Sequence, residues 1–282
     1  LVQPGTNALV RLDDRAKQQR VRDLLALTFS GEGDHDVAIW SETSIQFFID
    51  HFPEDLAWVI ENFPPDARII TGGLGASPGA DPIPTNTAYV LTNDGIQARH
   101  DKSHLVPFGE YKPWFVRWIP IAAFSAGSFW EGPGLSTWSL PGLPPVSPLI
   151  CYEMIFPGAV IAPDGPRPEW MVNISNDGWY GNTSGPRQHV TFARFRAVEE
   201  GLPMVRVGGT GISGVIDAAG VVHHRIAYGA TEVINLPLPQ PLGITPFGQN
   251  SRLSFWIVVL ALILSGFTLG LAKNIKNLPP KL

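Results

Sequence analysis

Residues 170–209 read WMVNISNDGWYGNTSGPRQHVTFARFRAVEEGLPMVRVGG, and this stretch decides the fold class. It opens on an apolar run of strand length, WMVNISN (170–176), and closes on another, MVRVGG (204–209). Between them Gly185 to Glu200 carries a helical repeat, with Val190, Phe192, Phe195 and Val198 read as its apolar side. Strand, helix and strand in succession argue an α/β architecture. Working outward, similar runs occur at LVQPG (1–5), ALVRL (8–12), VAIW (37–40), RIITGG (68–73), TAYVLTN (87–93), PLICYE (148–153) and GVIDAAG (214–220). A second helix is expected from Arg15 to Thr28, with Val21, Leu24, Leu25 and Leu27 on one side. NDG (93–95) and AAG (218–220) each separate two strands, so two hairpins interrupt the alternation, which a layered α-β-β-α sandwich accommodates. Gly132 to Pro148 reads as a long surface loop leading into the strand that carries Cys151.

The 282 residues are 44% hydrophobic and only 16% charged, against roughly 25% in ordinary soluble chains. A net charge of -5 offers no basic stripe for nucleic acid, and a lone cysteine rules out an intrachain disulfide framework. Leu253 to Ala272, LSFWIVVLALILSGFTLGLA, has no charged side chain and spans about 30 Å as a helix, enough to cross a bilayer. The tail beyond it carries Lys273, Lys276 and Lys281 and no acid, which by the positive-inside rule puts it in the cytoplasm and residues 1–252 on the opposite side, in a bacterium the periplasmic or outer side. A domain outside with a last helix running inward requires an earlier export segment, so the sequence is expected to be the C-terminal part of a longer membrane protein. The expected organisation is a catalytic domain at 1–245, linker and transmembrane helix at 246–272, and a cytoplasmic tail at 273–282.

Cys151 lies at the polar end of an apolar strand, in PLICYEMIFP (148–157). A lone free cysteine is most often a small buried hydrophobe. Glu153, two residues on, argues otherwise, because a carboxylate at a strand end beside a thiol needs a basic partner. The segment RHDKSHLVPFGEYKP (99–113) supplies Lys102, His104 and Glu110 around a rigid PFGE turn in which Pro107 fixes φ and Gly109 permits tight geometry. A thiol that attacks an acyl carbon needs a base to become thiolate and a cationic or N–H donor for the oxyanion. Glu42, just after VAIW, sits at a strand end suited to the base, and reads equally well as a solvated acid at a helix start. No metal-ligand pattern accompanies His100 and His104, and no cofactor motif is present.

WSE (40–42), KSHLVPFGEY (102–111), ICYEMIFP (150–157) and NISNDGWYG (173–181), in that order, resemble the nitrilase or carbon-nitrogen hydrolase superfamily, and within it the apolipoprotein N-acyltransferase family. The resemblance covers nearly the whole chain. It implies a nitrilase-like sandwich followed by one transmembrane helix, and a triad of Glu42 as general base, Lys102 as oxyanion stabiliser and Cys151 as nucleophile. Glu110 and Glu153 match two supporting acids that would hold Lys102 and the thiol in register, and Trp179 and Tyr180 match the loop bordering the acyl entrance. The implied partners are a phospholipid acyl donor, a diacylated apolipoprotein acceptor and the bilayer of the bacterial inner membrane. The implied reaction runs through a Cys151 thioester, with no cofactor and no metal. Ser41 stands where that family usually has Pro, and Gly208 and Gly209 where it usually has Ala-Asn. An amidase acting on a small soluble amide would use the same triad, and a catalytically dead binding domain would have lost it.

Overall fold

The structure is a computed structural model describing residues 1–6, 12–30, 35–116 and 128–276. Its elements are β1 (Val2–Gln3), α1 (Asp14–Phe29), β2 (Ala38–Ile39), β3 (Ile45–Phe48), α2 (Pro53–Glu61), β4 (Arg68–Ala76), β5 (Pro84–Thr92) and β6 (Gly95–Asp101). There follow β7 (Val146–Ile150), β8 (Trp170–Ile174), α3 (Gly185–Glu200), β9 (Met204–Val207), β10 (Ser213–Ile216), β11 (Val222–Ile226), β12 (Glu232–Val233), α4 (Pro246–Gln249) and α5 (Ser251–Lys276). One sheet runs β2-β4-β5-β6 with β3 also beside β4, the other runs β11-β10-β9-β8-β7, and β1 pairs with β12.

Side chains on a strand alternate between faces, and here the alternation sorts the apolar residues into three layers. Ile69, Tyr89 and Leu91 pack outward against Val21, Leu24 and Leu25 of α1 and Val59 of α2. Their neighbours Ile70, Ala88 and Val90 point the other way and meet Ile150, Val172 and Val205 of the second sheet. Leu149, Met171 and Met204 face outward again, against Ala193 and Ala197 of α3. The result is helices, sheet, sheet, helix: the expected α-β-β-α sandwich. Strands buried on both faces read as near-continuous apolar runs, which is why they were visible in the sequence.

α1 starts one residue before the expected Arg15 and is capped by Asp13, whose carboxylate accepts from Ala16 N at 2.8 Å. α3 has its expected bounds, but its buried face differs. Phe195 and Val198 are exposed, and the inward side is Pro186, His189, Ala193, Arg196, Ala197 and Glu200. Small alanines let the helix approach the sheet closely, while the buried ionic groups find partners, Arg196 bonding Ile155 O at 2.7 Å. β3 and α2 fall outside the expected elements. The run ALVRL lies outside the described residues except for Leu12, which is in no strand. The stretch 132–148 is no plain surface loop: Trp138 and Leu140 are buried, Trp138 exchanges backbone bonds with Val146, and β7 begins at Val146.

α5 starts two residues before the expected span and runs through Lys276, so 273–276 of the expected tail are helical and 277–282 lie outside the described residues. Its window Ser251–Thr268 has mean hydropathy 1.7 and none of it is buried, so it is long and apolar enough to cross a membrane.

Trp40, fully buried, leads into Ser41 and Glu42; its indole N–H donates to Thr28 Oγ1 at 2.9 Å, and that hydroxyl donates to Leu24 O at 2.6 Å. Thr28→Val keeps the shape and strands the indole N–H. It is expected to cost about 1–3 kcal/mol, read from the denaturation midpoint.

Candidate active site

Glu42, Lys102 and Cys151 each sit just past the end of a strand, β2, β6 and β7 in turn. Cys151 follows β7 directly and opens a 3-10 turn, Cys151–Ile155, with φ 48. That left-handed conformation is uncommon for a residue bearing a Cβ and lifts the side chain out of the strand line. Glu153 closes the turn, its Oε2 accepting from Ile150 N at 2.8 Å. Glu42 follows β2 in a tight turn in which Thr43 has φ 56. This turn presses on β4 at Gly72, where an added Cβ would lie 2.6 Å from Glu42 Cα, so only glycine admits it. Lys102 follows β6, and Glu110 sits in the 107–111 turn. There Phe108 takes the positive φ, 66.

Glu42, Lys102 and Glu110 form one cluster. Lys102 Nζ donates to Glu110 Oε1 at 2.8 Å and lies 3.5 Å from Glu42 Oε1. Asn86 of β5 bridges the two acids, its Nδ2 donating to Glu42 Oε1 at 2.7 Å and Glu110 Oε1 at 2.9 Å. Asn176 N donates to Glu42 Oε2 at 2.6 Å, and Val106 N to Glu110 Oε2 at 2.8 Å. Glu42 is therefore buried and saturated with donors, which excludes the solvated-acid alternative. Burial by itself would lower the Lys102 ammonium, but Glu42, Cys151 and Glu110 hold it well above its ordinary value. Burial pushes the Cys151 thiol up to about 12, assisted by Glu42, while Lys102 and the Ser175 hydroxyl pull it back part of the way. Burial therefore favours the protonated thiol over the thiolate at this position.

Glu153 does not touch Lys102. It is fully buried and accepts from Ser103 N at 2.7 Å, Ser103 Oγ at 2.8 Å and Ile150 N at 2.8 Å, with His100 Nε2 at 3.0 Å. It thus ties the backbone before Cys151 to the backbone after Lys102. Burial opposes its charge, but His100 and these donors hold the carboxyl down at about 2. Asp177 is likewise held at about 2 against burial, chiefly by Arg206. Both groups have folded values below the ordinary carboxyl range, so their stabilisation is complete above about pH 4.5 and fades as pH falls toward 2. Acid unfolding followed by circular dichroism should begin within that window.

Trp179 is 65% exposed, which rules out core packing for it, whereas Tyr180 is half-buried edge-on to His189. Burial, with Cys151, Asp177 and Glu42 behind it, pushes the Tyr180 phenol up to about 12. Ser41 and Gly209 are neighbours: a Cβ on Gly209, φ 66, would lie 3.3 Å from Ser41 Oγ. Sequence reading missed Asn86, Asn173, Ser175, Asp177, His100 and Arg206. Their signal was polarity inside apolar strand runs, such as the Arg of MVRV and the Asn of WMVNI, since a buried polar group requires a partner. Among the described residues no group of three or more His, Cys, Asp or Glu is placed to hold a metal.

The fold is shared with solved structures: an amidase from Nesterenkonia sp. superposes with a TM-score of 0.59 at 18% identity, covering 90% of this chain and 92% of that one. A carbon-nitrogen hydrolase from Helicobacter pylori G27 gives 0.57 at 16% identity, covering 82% and 85%. Among curated proteins, the apolipoprotein N-acyltransferase of Rhodopseudomonas palustris is 34% identical over 279 residues, 92% of this chain and 51% of the relative. That of Sinorhizobium medicae is 36% identical over 292 residues, 97% and 55%. The chain thus spans about half the length of the curated relatives it matches. Residues 1–271 match the carbon-nitrogen hydrolase family. An α-β-β-α sandwich with its cysteine on a strand-end turn, matched over that range, makes this chain a member of the carbon-nitrogen hydrolase family.

Proposed function

We propose that this chain is the catalytic part of a membrane N-acyltransferase that moves a fatty acyl group from a phospholipid to the N-terminal amine of a diacylglyceryl-cysteine apolipoprotein. The observation that carries this reading is one chain holding both a strained Cys151 turn beside the Glu42–Lys102–Glu110 cluster and an apolar helix exposed over Ser251–Thr268. A soluble amidase has no use for such a helix. The names of the curated relatives support the same reaction.

In the first step Glu42 takes the thiol proton while the sulfur attacks the ester carbonyl. Lys102, whose charge acts on the sulfur, offsets the oxyanion charge. The carbon–oxygen bond then breaks, and the proton on Glu42 passes to the leaving lysophospholipid oxygen. In the second step the acceptor amine attacks the thioester and gives its proton to Glu42; the carbon–sulfur bond breaks and the sulfur recovers that proton. Glu110 and Asn86 keep Lys102 and Glu42 aligned between steps. Exposed Trp179 borders the route of the acyl chain. In this reading the domain faces the periplasm from the inner membrane, with the segment after α5 in the cytoplasm.

Intact-mass measurement of the full-length membrane protein after incubation with phospholipid tests this. The expected result is an added fatty-acyl mass on the peptide containing Cys151, removed by hydroxylamine. No adduct, with hydrolysis of a soluble amide in its place, would overturn the proposal in favour of an amidase.

A further inference from the structure

Behind the nucleophile, on the α3 side of the second sheet, lies a buried polar network that the mechanism above does not use. Its centre is Arg206 in the middle of β9, almost completely buried. One arm of the guanidinium, Nη1, donates to Asn173 Oδ1. Asn173 Nδ2 then donates to Leu149 O at 3.2 Å and to Cys151 O at 3.4 Å, the carbonyl of the residue with φ 48. The other arm, Nη2, donates to both oxygens of Asp177 at 2.7 Å and lies 3.4 Å from His189 Nδ1, which is itself 3.2 Å from Asp177 Oδ1. Asp177 Oδ1 accepts from Ser175 Oγ at 2.9 Å. Ser175 stands beside Cys151, because the residues before them, Ile174 and Ile150, are partners across the parallel strands β8 and β7, and its hydroxyl is among the groups that draw the thiol down.

We propose that Arg206 is a positioning residue for the nucleophile, acting on Cys151 through two separate arms: Asn173 on its carbonyl and Asp177–Ser175 on its sulfur. A planar guanidinium serves two planar partners in fixed directions, which a lysine ammonium does not. The first arm holds the turn in its strained conformation. The second works through a single proton. A serine hydroxyl has one hydrogen, and in the resting protein the Asp177 carboxylate takes it, leaving an oxygen lone pair toward the weakly donating thiol. Once Glu42 has removed the thiol proton, the hydroxyl turns to donate to the thiolate, a charge-assisted bond stronger than the one a neutral thiol offers. No bond breaks in that turn; only the hydroxyl rotates. Ser175 therefore favours the thiolate at the moment of attack, while Glu42, Lys102 and Tyr180, which face the same sulfur, stay as they are.

The proposal deepens the acyl-transfer reading, yet its test needs no lipid. Alkylation of Cys151 by iodoacetamide in the full-length protein is followed against pH, with a thermal melt to show folding. Ser175→Ala should move the alkylation profile to higher pH, slowing the reaction about tenfold at a fixed pH below the midpoint, since each pH unit is a tenfold change in thiolate. Ser175→Thr, which keeps the hydroxyl, should restore it. Arg206→Lys should show the same shift and, in acyl transfer, lose about a hundredfold in kcat with KM nearly unchanged, as expected for a misplaced nucleophile. Folded Ser175→Ala and Arg206→Lys proteins with the parent alkylation profile would overturn it, and so would failure of threonine to rescue. If Arg206→Lys does not fold, the serine pair still decides. Alkylation as expected without any acyl adduct would sink the acyl-transfer reading and leave this one standing.

Discussion

On the proposed acyl-transfer mechanism, Cys151→Ala should abolish the acyl adduct and lower turnover by on the order of a thousandfold or more while leaving the fold intact, because Cys151 is the one cysteine in the sequence and loss of a covalent route is not made good by binding alone. Cys151→Ser should do nearly as badly. Burial already pushes the thiol up to about 12, and a serine hydroxyl in the same surroundings is far harder to ionise. The backbone adds a check specific to this turn. Alanine keeps the strained φ of 48, whereas Cys151→Gly relieves it, so the glycine variant should melt no lower than the alanine one although both are inactive. Full turnover in either variant would remove Cys151 from the mechanism, and a glycine variant much less stable than the alanine one would remove the strain from the account.

Lys102→Met should be the most destabilising single change in the site. The ammonium is 1% exposed, 2.8 Å from Glu110 and 3.5 Å from Glu42, and a methionine of similar length leaves two carboxylates buried without their cation. Removing one partner of a buried ionic set costs about 3–5 kcal/mol, roughly 10 °C in melting temperature for a domain of this size. Adding Glu110→Gln to Lys102→Met should recover part of the loss, because one of the stranded charges is gone, and the non-additivity measures the coupling. Acyl-adduct formation should be lost in both. A Lys102→Met protein that melts like the parent would mean that the ammonium is not compensating these acids.

How much of this was legible depends on whether the signal lay along the chain or across it. The two-faced burial of β4, β5, β8 and β9 prints apolar runs directly into the sequence, and the turns at 93–95 and 218–220 announce their hairpins. β3 carries Gln46 between Ile45 and Phe47 and pairs only loosely with β4, and α2 is nine residues with one buried apolar side chain, so neither rises above its surroundings. α3 misled for a physical reason. Its inward face holds His189, Arg196 and Glu200, whose polar groups meet Asp177, Ile155 O and Arg167 from other elements, while Phe195 and Val198 lie outside. Cys151, Glu42, Lys102 and Glu110 were readable as candidates because each follows a strand or a turn signal. That Asn86 joins the acids and that Arg206 stands behind the turn became visible only with both sheets assembled.

β1 and β12 form a two-stranded seam of their own, and they join residues more than two hundred positions apart: Val2 pairs with Val233 and Gln3 with Glu232. Gln3 also reaches Ala227 O and Ala230 O, and Ser213 donates to its side chain. The last partner of the first strand therefore emerges only about eighteen residues before α5 begins. Closing so long a loop is slow, and its cost is met only after the intervening sheets exist. During synthesis, then, the domain stays open at this seam until β12 has emerged, so that closure of the sandwich and arrival of the apolar helix α5 fall close together in time.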